Sequence, residues 1–424
     1  MATIYRAQYL VPGDAPPVEG GAFLAEDGMI AARGTLAELQ RAYPEAPVVD
    51  FGEAIIAPLL VNAHTHLELT DFPRWAAKAG MAEDPSGFVD WILRLIKTKK
   101  SLVGRDYQLS VANGIEQSLA YGVGTVGDIL AYYPAREAYR SSSLDGLLFL
   151  ETLGQDPALI RQAEQRLDQA LKEGQGGRVE VGLSPHSPYT IRGEYLERLY
   201  RRCRQQGLRC STHLAESPDE VEFIEHGRGP IASCFYPFVG WENYLPPTSH
   251  MRPVAYLDKH GGFFQENLLV HGVQLNDDEI ELLARKGMHL ALCPRSNAKL
   301  KVGRAPAGKL LNAGVNLCLG TDSLASCDSL SIWDEMAFAA RWFRGELDAP
   351  TLFAMATSGG ARALGLHERL GTLGVGKQAG FQILKPKTKV AAAEIFDYFI
   401  SPGCGADIAQ VYHHGRAQLS GLDP

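Results

Sequence analysis

The sequence predicts an α/β fold, a (β/α)8 TIM-type barrel carrying a small composite β-sandwich module formed by the N- and C-terminal segments. Three observations predict it. Eight short apolar, β-branched-rich segments recur along the chain, each ending at a polar or glycine-rich turn. Helix-like stretches separate them, giving the strand–helix alternation of a parallel barrel. The two ends break this rhythm, with short strand-like pieces and turns over 1–53 and again over 371–424.

The strand-like segments are, in order, "AIIAPLLVNA" (54–63), "GVGTVGDIL" (122–130), "DGLLFLET" (145–152), "RVEVGLSP" (178–185), "LRCSTHLA" (208–215), "NLLVHGV" (267–273), "MHLALCP" (288–294) and "VNLCLGTD" (315–322). Such near-continuous apolar runs suit strands buried on both faces. Among the helix-like stretches, 157–174 has apolar residues at 158, 159, 163, 167, 170 and 171 before a glycine stop, and 193–207 again ends at Gly207. No G-x-G-x-x-G follows an early strand, which lowers the alternative of an open doubly wound sheet. The barrel is therefore expected over 54–370, and 1–53 with 371–424 is expected to form the flanking module. Segment 217–266, long and rich in Pro, Gly and aromatic residues, reads as an insertion that covers a site or forms an interface.

A chain of 424 residues fits one large barrel with an attached module. The net charge of −8, without a basic block, speaks against nucleic acid and anionic membranes as partners. No apolar run reaches the ~18 residues of a membrane span. The start, "MATIYRAQYLVPGDAPP", has neither the basic nor the apolar region of a signal peptide. Seven cysteines without a C-x-x-C pair argue against a disulfide framework and a cysteine-ligated zinc site, and they suit a reducing cytoplasm, the expected location.

The polar residues with chemical potential gather at the C-terminal ends of the predicted strands, the face on which this architecture builds active sites. His64 and His66 end the first, His186 follows the fourth, and His213 ends the fifth with Glu216 three residues on. His271 ends the sixth and Asp322 the eighth. Singly, each has a plain structural reading: a hydrogen-bonded histidine, a helix cap at Asp322, a first-turn carboxylate at Glu216. Their coincidence on different strand tips is harder to explain that way. Neutral imidazoles with a carboxylate suit Zn²⁺ or Fe²⁺ and leave an open position for a water acidified to a pKa of about 7. The residues alone do not say which reaction that water performs.

The motifs "NAHTHLE", "HLAES", "LVHGVQL", "CPRSNAKL" and "LGTDSLAS" resemble, in order and spacing, those of the amidohydrolase superfamily. They are most similar to its cytosine-deaminase-like, S-adenosylhomocysteine/methylthioadenosine deaminase and triazine hydrolase (chlorohydrolase) branch. "SPHSPYT" (184–190) and "RSNAKLKVG" resemble segments of the adenosine-derivative deaminases. The resemblance implies metal ligands His64, His66, His213 and Asp322, with Glu216 as proton shuttle and His271 orienting the attacking water alongside Asp322. No lysine ends the fourth strand, which favours a single divalent ion, Zn²⁺ ranked ahead of Fe²⁺. His186 would contact substrate, and Glu68 would support the site or touch substrate. "FVDWIL" (88–93) resembles a segment that places Trp91 at the substrate and Asp90 on ribose hydroxyls, although a helix-start aspartate is the plainer reading. Arg295, with Arg74 and Arg94, is a candidate for binding a substrate carboxylate.

The implied activity is hydrolytic deamination of an aminated N-heterocycle, foremost an adenosine derivative such as S-adenosylhomocysteine, methylthioadenosine or aminodeoxyfutalosine, with release of ammonia. Hydrolysis of another C–N or C–Cl bond, in a chlorotriazine, a cytosine- or guanine-type base, an imidazolone or an amide, is the enzymatic alternative. A non-enzymatic scaffold is disfavoured by the intact ligand set. The expected partner is a small-molecule substrate, and the 217–266 insertion admits a homodimer. Three departures mark this chain: Leu59 in "PLLVN" where a glycine is usual, Gly380 in "GKQAGF" where an aspartate is usual, and Cys293 with Arg295 in "LCPRSN" where N-P-x-S-N is common.

Overall fold

Eight parallel strands form the barrel wall, each paired with the next in chain order. They are β1 (Leu60–Thr65), β2 (Val123–Leu130), β3 (Asp145–Thr152), β4 (Val179–Pro185), β5 (Cys210–Leu214), β6 (Asn267–His271), β7 (His289–Leu292) and β8 (Asn316–Leu319). The structure, a computed structural model, describes residues 2–418 except 82, 175, 176 and 247. The end of the expected module, 419–424, and position 247 of the expected insertion lie outside the described residues.

The apolar runs become strands because both faces are covered; β2 and β5 are buried along their whole length. The helices follow from their stripes. Helix α1 (Pro157–Glu173) starts at an Asp156 cap with Pro157 in its first turn, and buries Ile160, Ala163, Leu167 and Ala170 at helical spacing. Helix α2 (Gly193–Gln206) buries Tyr195, Leu196, Leu199, Tyr200 and Cys203, and Gly207 ends it in the left-handed region at φ 63°.

The barrel closes between β8 and β1 through side chains more than through a backbone ladder. Asn62 Nδ2 donates to Thr321 Oγ1 (2.8 Å), and Thr321 N donates back to Asn62 Oδ1 (3.1 Å). A parallel bridge joins Thr65 to Asp322, whose N–H donates to His64 O (3.1 Å). The seam therefore runs through the residues singled out for chemistry.

The first predicted strand divides in two. Ile55–Pro58 belongs to a six-stranded flanking sheet, and only Leu60–Thr65 enters the barrel. Both halves are fully buried, so apolarity reports burial without reporting which sheet is joined. The six-stranded sheet takes strands from both chain ends, ordered Arg416–Ala417, Ile408–His413, Phe381–Leu384, Ile55–Pro58, Tyr9–Leu10 and Val18–Glu19. A four-stranded sheet of Met29–Thr35, Gly21–Glu26, Thr3–Arg6 and Val48–Asp50 completes the module. Tyr5, Phe23, Phe381 and Tyr412 fill the core between them, making a β-sandwich.

Two of the sequence departures meet in space. Leu59 is buried, and its N–H donates to Gly380 O (3.3 Å). A Cβ at position 380 would lie 3.2 Å from Leu59 Cδ1, and one at Gly124 would lie 2.5 Å from the same atom. The leucine fits because glycines face it. Restoring Gly380→Asp alone should cost about 1–3 kcal/mol by overpacking. Adding Leu59→Gly should recover part of that loss in a denaturant-melt double-mutant cycle, whereas strictly additive effects would mean the two positions are uncoupled.

Residues 218–241 of the expected insertion pack onto the C-terminal mouth. Helix Pro218–His226, the π-helical turn Ile231–Phe235 and the residues just after it contribute Phe223, Ile231, Phe235, Tyr236 and Trp241 to one apolar cluster with Phe88, Ile92 and Tyr189. No helix among the described residues is long and apolar enough to cross a membrane.

Candidate active site

The tips of β1, β5, β6 and β8 present the polar groups, and local bonds aim His213, His271 and Asp322. His64 lies within β1, with His66 just beyond its end. Donor atoms of His64, His66 and His213 all fall within 4.8 Å of one another. His213 Nδ1 bonds His186 O at 2.8 Å, which turns Nε2 toward the other two rings. Asp322 closes the group: Oδ1 lies 3.7 Å from His64 Nε2 and 3.4 Å from His66 Nε2. Its second oxygen accepts from Ser296 Oγ (2.6 Å) and Ser326 Oγ (2.8 Å), so the carboxylate cannot swing away.

Beside this group stand Glu216 and His271, with Glu216 Oε1 3.7 Å from His271 Nε2. His271 Nδ1 bonds Asn297 Oδ1 (3.0 Å); the Nδ1–H donates, leaving the Nε2 lone pair toward the site. Glu220 fixes the approach to Glu216, accepting from Ala215 N (3.0 Å) and Glu216 N (2.8 Å). Three tip residues, Ala215 (φ 52°), His271 (φ 76°) and Asp322 (φ 58°), sit in the left-handed region without being glycine. Such strain costs about 1–3 kcal/mol each and persists where surrounding bonds over-determine it; here those bonds are the ones just named.

The site is buried, and its charges respond. Desolvation, reinforced by neighbouring imidazoles, holds His66 and His213 well below the ordinary histidine value, so both are neutral with lone pairs free. Desolvation likewise brings His186 and His271 to about 4. Burial would raise Asp322, but the close-set imidazoles of His64, His66 and His271 outweigh it and hold the carboxyl well below its usual range. Burial, then the charges of Asp322 and Glu220, push Glu216 well above the usual carboxylate range. Both ring nitrogens of His64 are buried without a hydrogen-bond partner, a cost of about 1–3 kcal/mol unless something accepts them. Neutral imidazoles and one carboxylate around an unsatisfied histidine fit a divalent cation.

The site opens into a cavity of about 250 Å³. His66, Glu68, Trp91, His186, His213, Glu216, His271 and Asp322 all border it, so the structure gathers these sequence-predicted residues at one place. Its apolar wall includes Leu95, Ile96 and Phe235, and Trp91 is held there by Nε1–H donating to Ala325 O (3.1 Å). A larger cleft, about 780 Å³, lies near the opposite barrel face by Arg178 and His414 and contains none of the histidine cluster.

Asp90 and Arg295 do not border the cavity. Asp90 Oδ2 accepts from Ser86 N (2.9 Å) and Arg94 Nε (3.0 Å), the role of a helix-start aspartate. Arg295 pairs with Asp328 and lies 3.8 Å from Glu335. Arg74 pairs with Asp71 at 2.9 Å. Glu68 is 2% exposed and already satisfied: Lys99 Nζ donates to Oε1 (3.0 Å), and the N–H groups of Ala131 (3.0 Å) and Tyr132 (2.8 Å) donate to Oε2.

Sequence reasoning assigned no role to Lys99 and Glu151, which also line the cavity. Burial would lower Lys99, but Glu68 and Glu151 outweigh it and hold the ammonium above its ordinary value. Burial pushes Glu151 up to about 7, against the pull of Lys99. A signal for Lys99 was available: helical spacing carries Trp91 to Leu95 to Lys99 along one face.

Comparison with known proteins agrees with this geometry. The Amidohydrolase family model matches residues 55–415, and that of the Imidazolonepropionase-like composite domain, bacteria, matches residues 21–46. The chain is 31% identical to the aminodeoxyfutalosine deaminase of Deinococcus radiodurans over 355 residues, 79% of each chain. It is 30% identical to the 5-methylthioadenosine/S-adenosylhomocysteine deaminase of Desulforudis audaxviator over 400 residues, 89% of this chain and 84% of that one. Among solved structures, a zinc-bound adenosine deaminase from Xanthomonas campestris superposes with a TM-score of 0.83 at 25% identity, covering 99% of this chain and 94% of that one. With a family match over most of its length, the chain belongs to the amidohydrolase family.

Proposed function

We propose that the chain is a metal-dependent hydrolytic deaminase of an adenosine derivative. The observation that carries this reading is the convergence of His64, His66, His213 and Asp322 beside the Glu216–His271 pair, at the end of an aromatic-walled cavity. The relatives' deaminase names and the zinc in the Xanthomonas structure support it. His64, His66, His213 and Asp322 would hold one divalent ion, zinc being the proposed metal. When bound, such an ion supplies a water acidified to a pKa of about 7.

The remaining work falls to this chain's own groups. The water proton that Glu216 does not take is shared by His271 Nε2 and Asp322 Oδ1, which aim the water oxygen at the amine-bearing ring carbon. Glu216 takes one water proton and delivers it to the adjacent ring nitrogen as the C–O bond forms. It then carries the second proton to the exocyclic amine; the C–N bond breaks, ammonia leaves, and the ring carbonyl remains. Trp91 and the apolar wall take the flat heterocycle, and His186 borders it.

Arg74, Arg94 and Arg295 are each engaged by neighbouring carboxylates, which favours a substrate whose tail carries no carboxylate. We assign residues from Leu60 to 370 to the catalytic barrel, and the chain up to Pro58 with 371–418 to the flanking module. The test is ammonia release by zinc- or iron-loaded protein from adenosine, 5′-methylthioadenosine, S-adenosylhomocysteine, aminodeoxyfutalosine, cytosine, guanine and a chlorotriazine. Adenosine-type compounds should lead, with the neutral 5′-methylthio compound ahead of the carboxylates. Faster chloride release from the triazine would overturn the reading.

A further inference from the structure

Glu151 is a carboxylate that the chemistry above does not use. Along β3, Leu147 and Phe149 point into the barrel interior, while Leu148 and Leu150 join the core cluster beneath the helices. The two-residue period continues the inward row to Glu151, at the cavity wall. Thr152, next in line, turns outward, its hydroxyl 2.8 Å from Tyr195 Oη on α2.

The Glu151 side chain is 11% exposed, and its nearest recorded polar partner, His186 Nε2, stands 3.9 Å from Oε1. That is beyond hydrogen-bond range. A carboxylate enclosed this far without a donor is costly, so a ligand supplying donors gains most where it meets this group. The surroundings narrow the donor's chemistry. Lys99 stands close enough to act on Glu151 electrostatically, which disfavours a second cation there. Glu68 and Glu151 together disfavour an anion. Neutral hydroxyl groups remain, and an oxygen can lie about 2.8 Å from both His186 Nε2 and Glu151 Oε1 across the 3.9 Å gap.

We propose that Glu151 is a specificity-determining residue that accepts hydrogen bonds from the sugar hydroxyls of the substrate, with Lys99 and His186 flanking the contact. This rests on the reading of the substrate as an adenosine derivative. The geometry separates two ends of one cavity: the Glu216–His271 pair for the reacting ring, and the Glu151 wall for the sugar.

The experiment is the ratio of kcat/KM for adenosine to that for 2′,3′-dideoxyadenosine, measured in metal-loaded wild type, Glu151→Gln and Glu151→Leu. Because each ratio is taken within one preparation, a partly folded variant does not distort it. Wild type should prefer adenosine by about 10- to 100-fold, the scale of hydrogen bonds to a charged group. The preference should fall toward unity in Glu151→Leu and be intermediate in Glu151→Gln, which keeps an acceptor. A wild type that deaminates both compounds equally, or a leucine variant that keeps the wild-type ratio, overturns the role of Glu151 and leaves the deaminase reading intact. A wild type that deaminates neither compound yet hydrolyses a chlorotriazine or a free base overturns the substrate reading, and this inference with it.

Discussion

Glu216→Gln should bind metal as the wild type does and lose about 10³-fold or more in kcat, within the range that general acid–base groups contribute. Glutamine keeps the size and one hydrogen-bonding oxygen but cannot shuttle a proton. The backbone around it should stay in place, because Ala215 N and Glu216 N are held by Glu220 and not by the Glu216 side chain. Metal content by elemental analysis, with single-turnover rates on an adenosine substrate, checks the expectation. A glutamine variant with near-wild-type kcat would remove Glu216 from proton transfer.

His64→Ala should lower metal content and activity together, by at least about 100-fold in activity, since even outer-sphere changes cost 10–100-fold in metal affinity or rate. His64 is the sensitive position because it is 0% exposed and neither ring nitrogen has a hydrogen-bond partner. Chelation of the wild type should produce the same loss and lower the Tm, and added zinc should restore the wild type but not the variant. An alanine variant that holds one ion per chain and turns over normally would show that the ligand set lies elsewhere.

How far the sequence carries can be read from particular residues. The segments 145–152 and 178–185 became Asp145–Thr152 and Val179–Pro185, because their apolar residues are packed into the barrel wall over most of each strand. The segment 54–63 was harder, since the chain leaves one buried sheet and enters another with no polar break. The histidines were legible as a set because imidazoles at strand tips are rare enough to stand out. What holds them was not. Ser296, Ser326 and Asn297 lie within the quoted motifs, yet their roles depend on contacts with Asp322 and His271 across 26 or fewer positions of sequence.

Asp90 shows how a one-residue step decides a role. It precedes Trp91 on the helix Phe88–Lys99, and a step of about 100° turns it from the cavity wall to the helix start. The same geometry brings in Lys99, two turns on from Trp91. Glu151 was hidden for a different reason: in "DGLLFLET" it reads as the polar end of a strand, and only the inward alternation places it at the cavity.

The most direct measurement of the central claim is mass spectrometry of the product formed by zinc-loaded protein from 5′-methylthioadenosine in ¹⁸O-water, with ammonia quantified in parallel. The account predicts one ¹⁸O on the ring carbon that bore the amine and one ammonia per product. Product lacking the label, or label without stoichiometric ammonia, would contradict it.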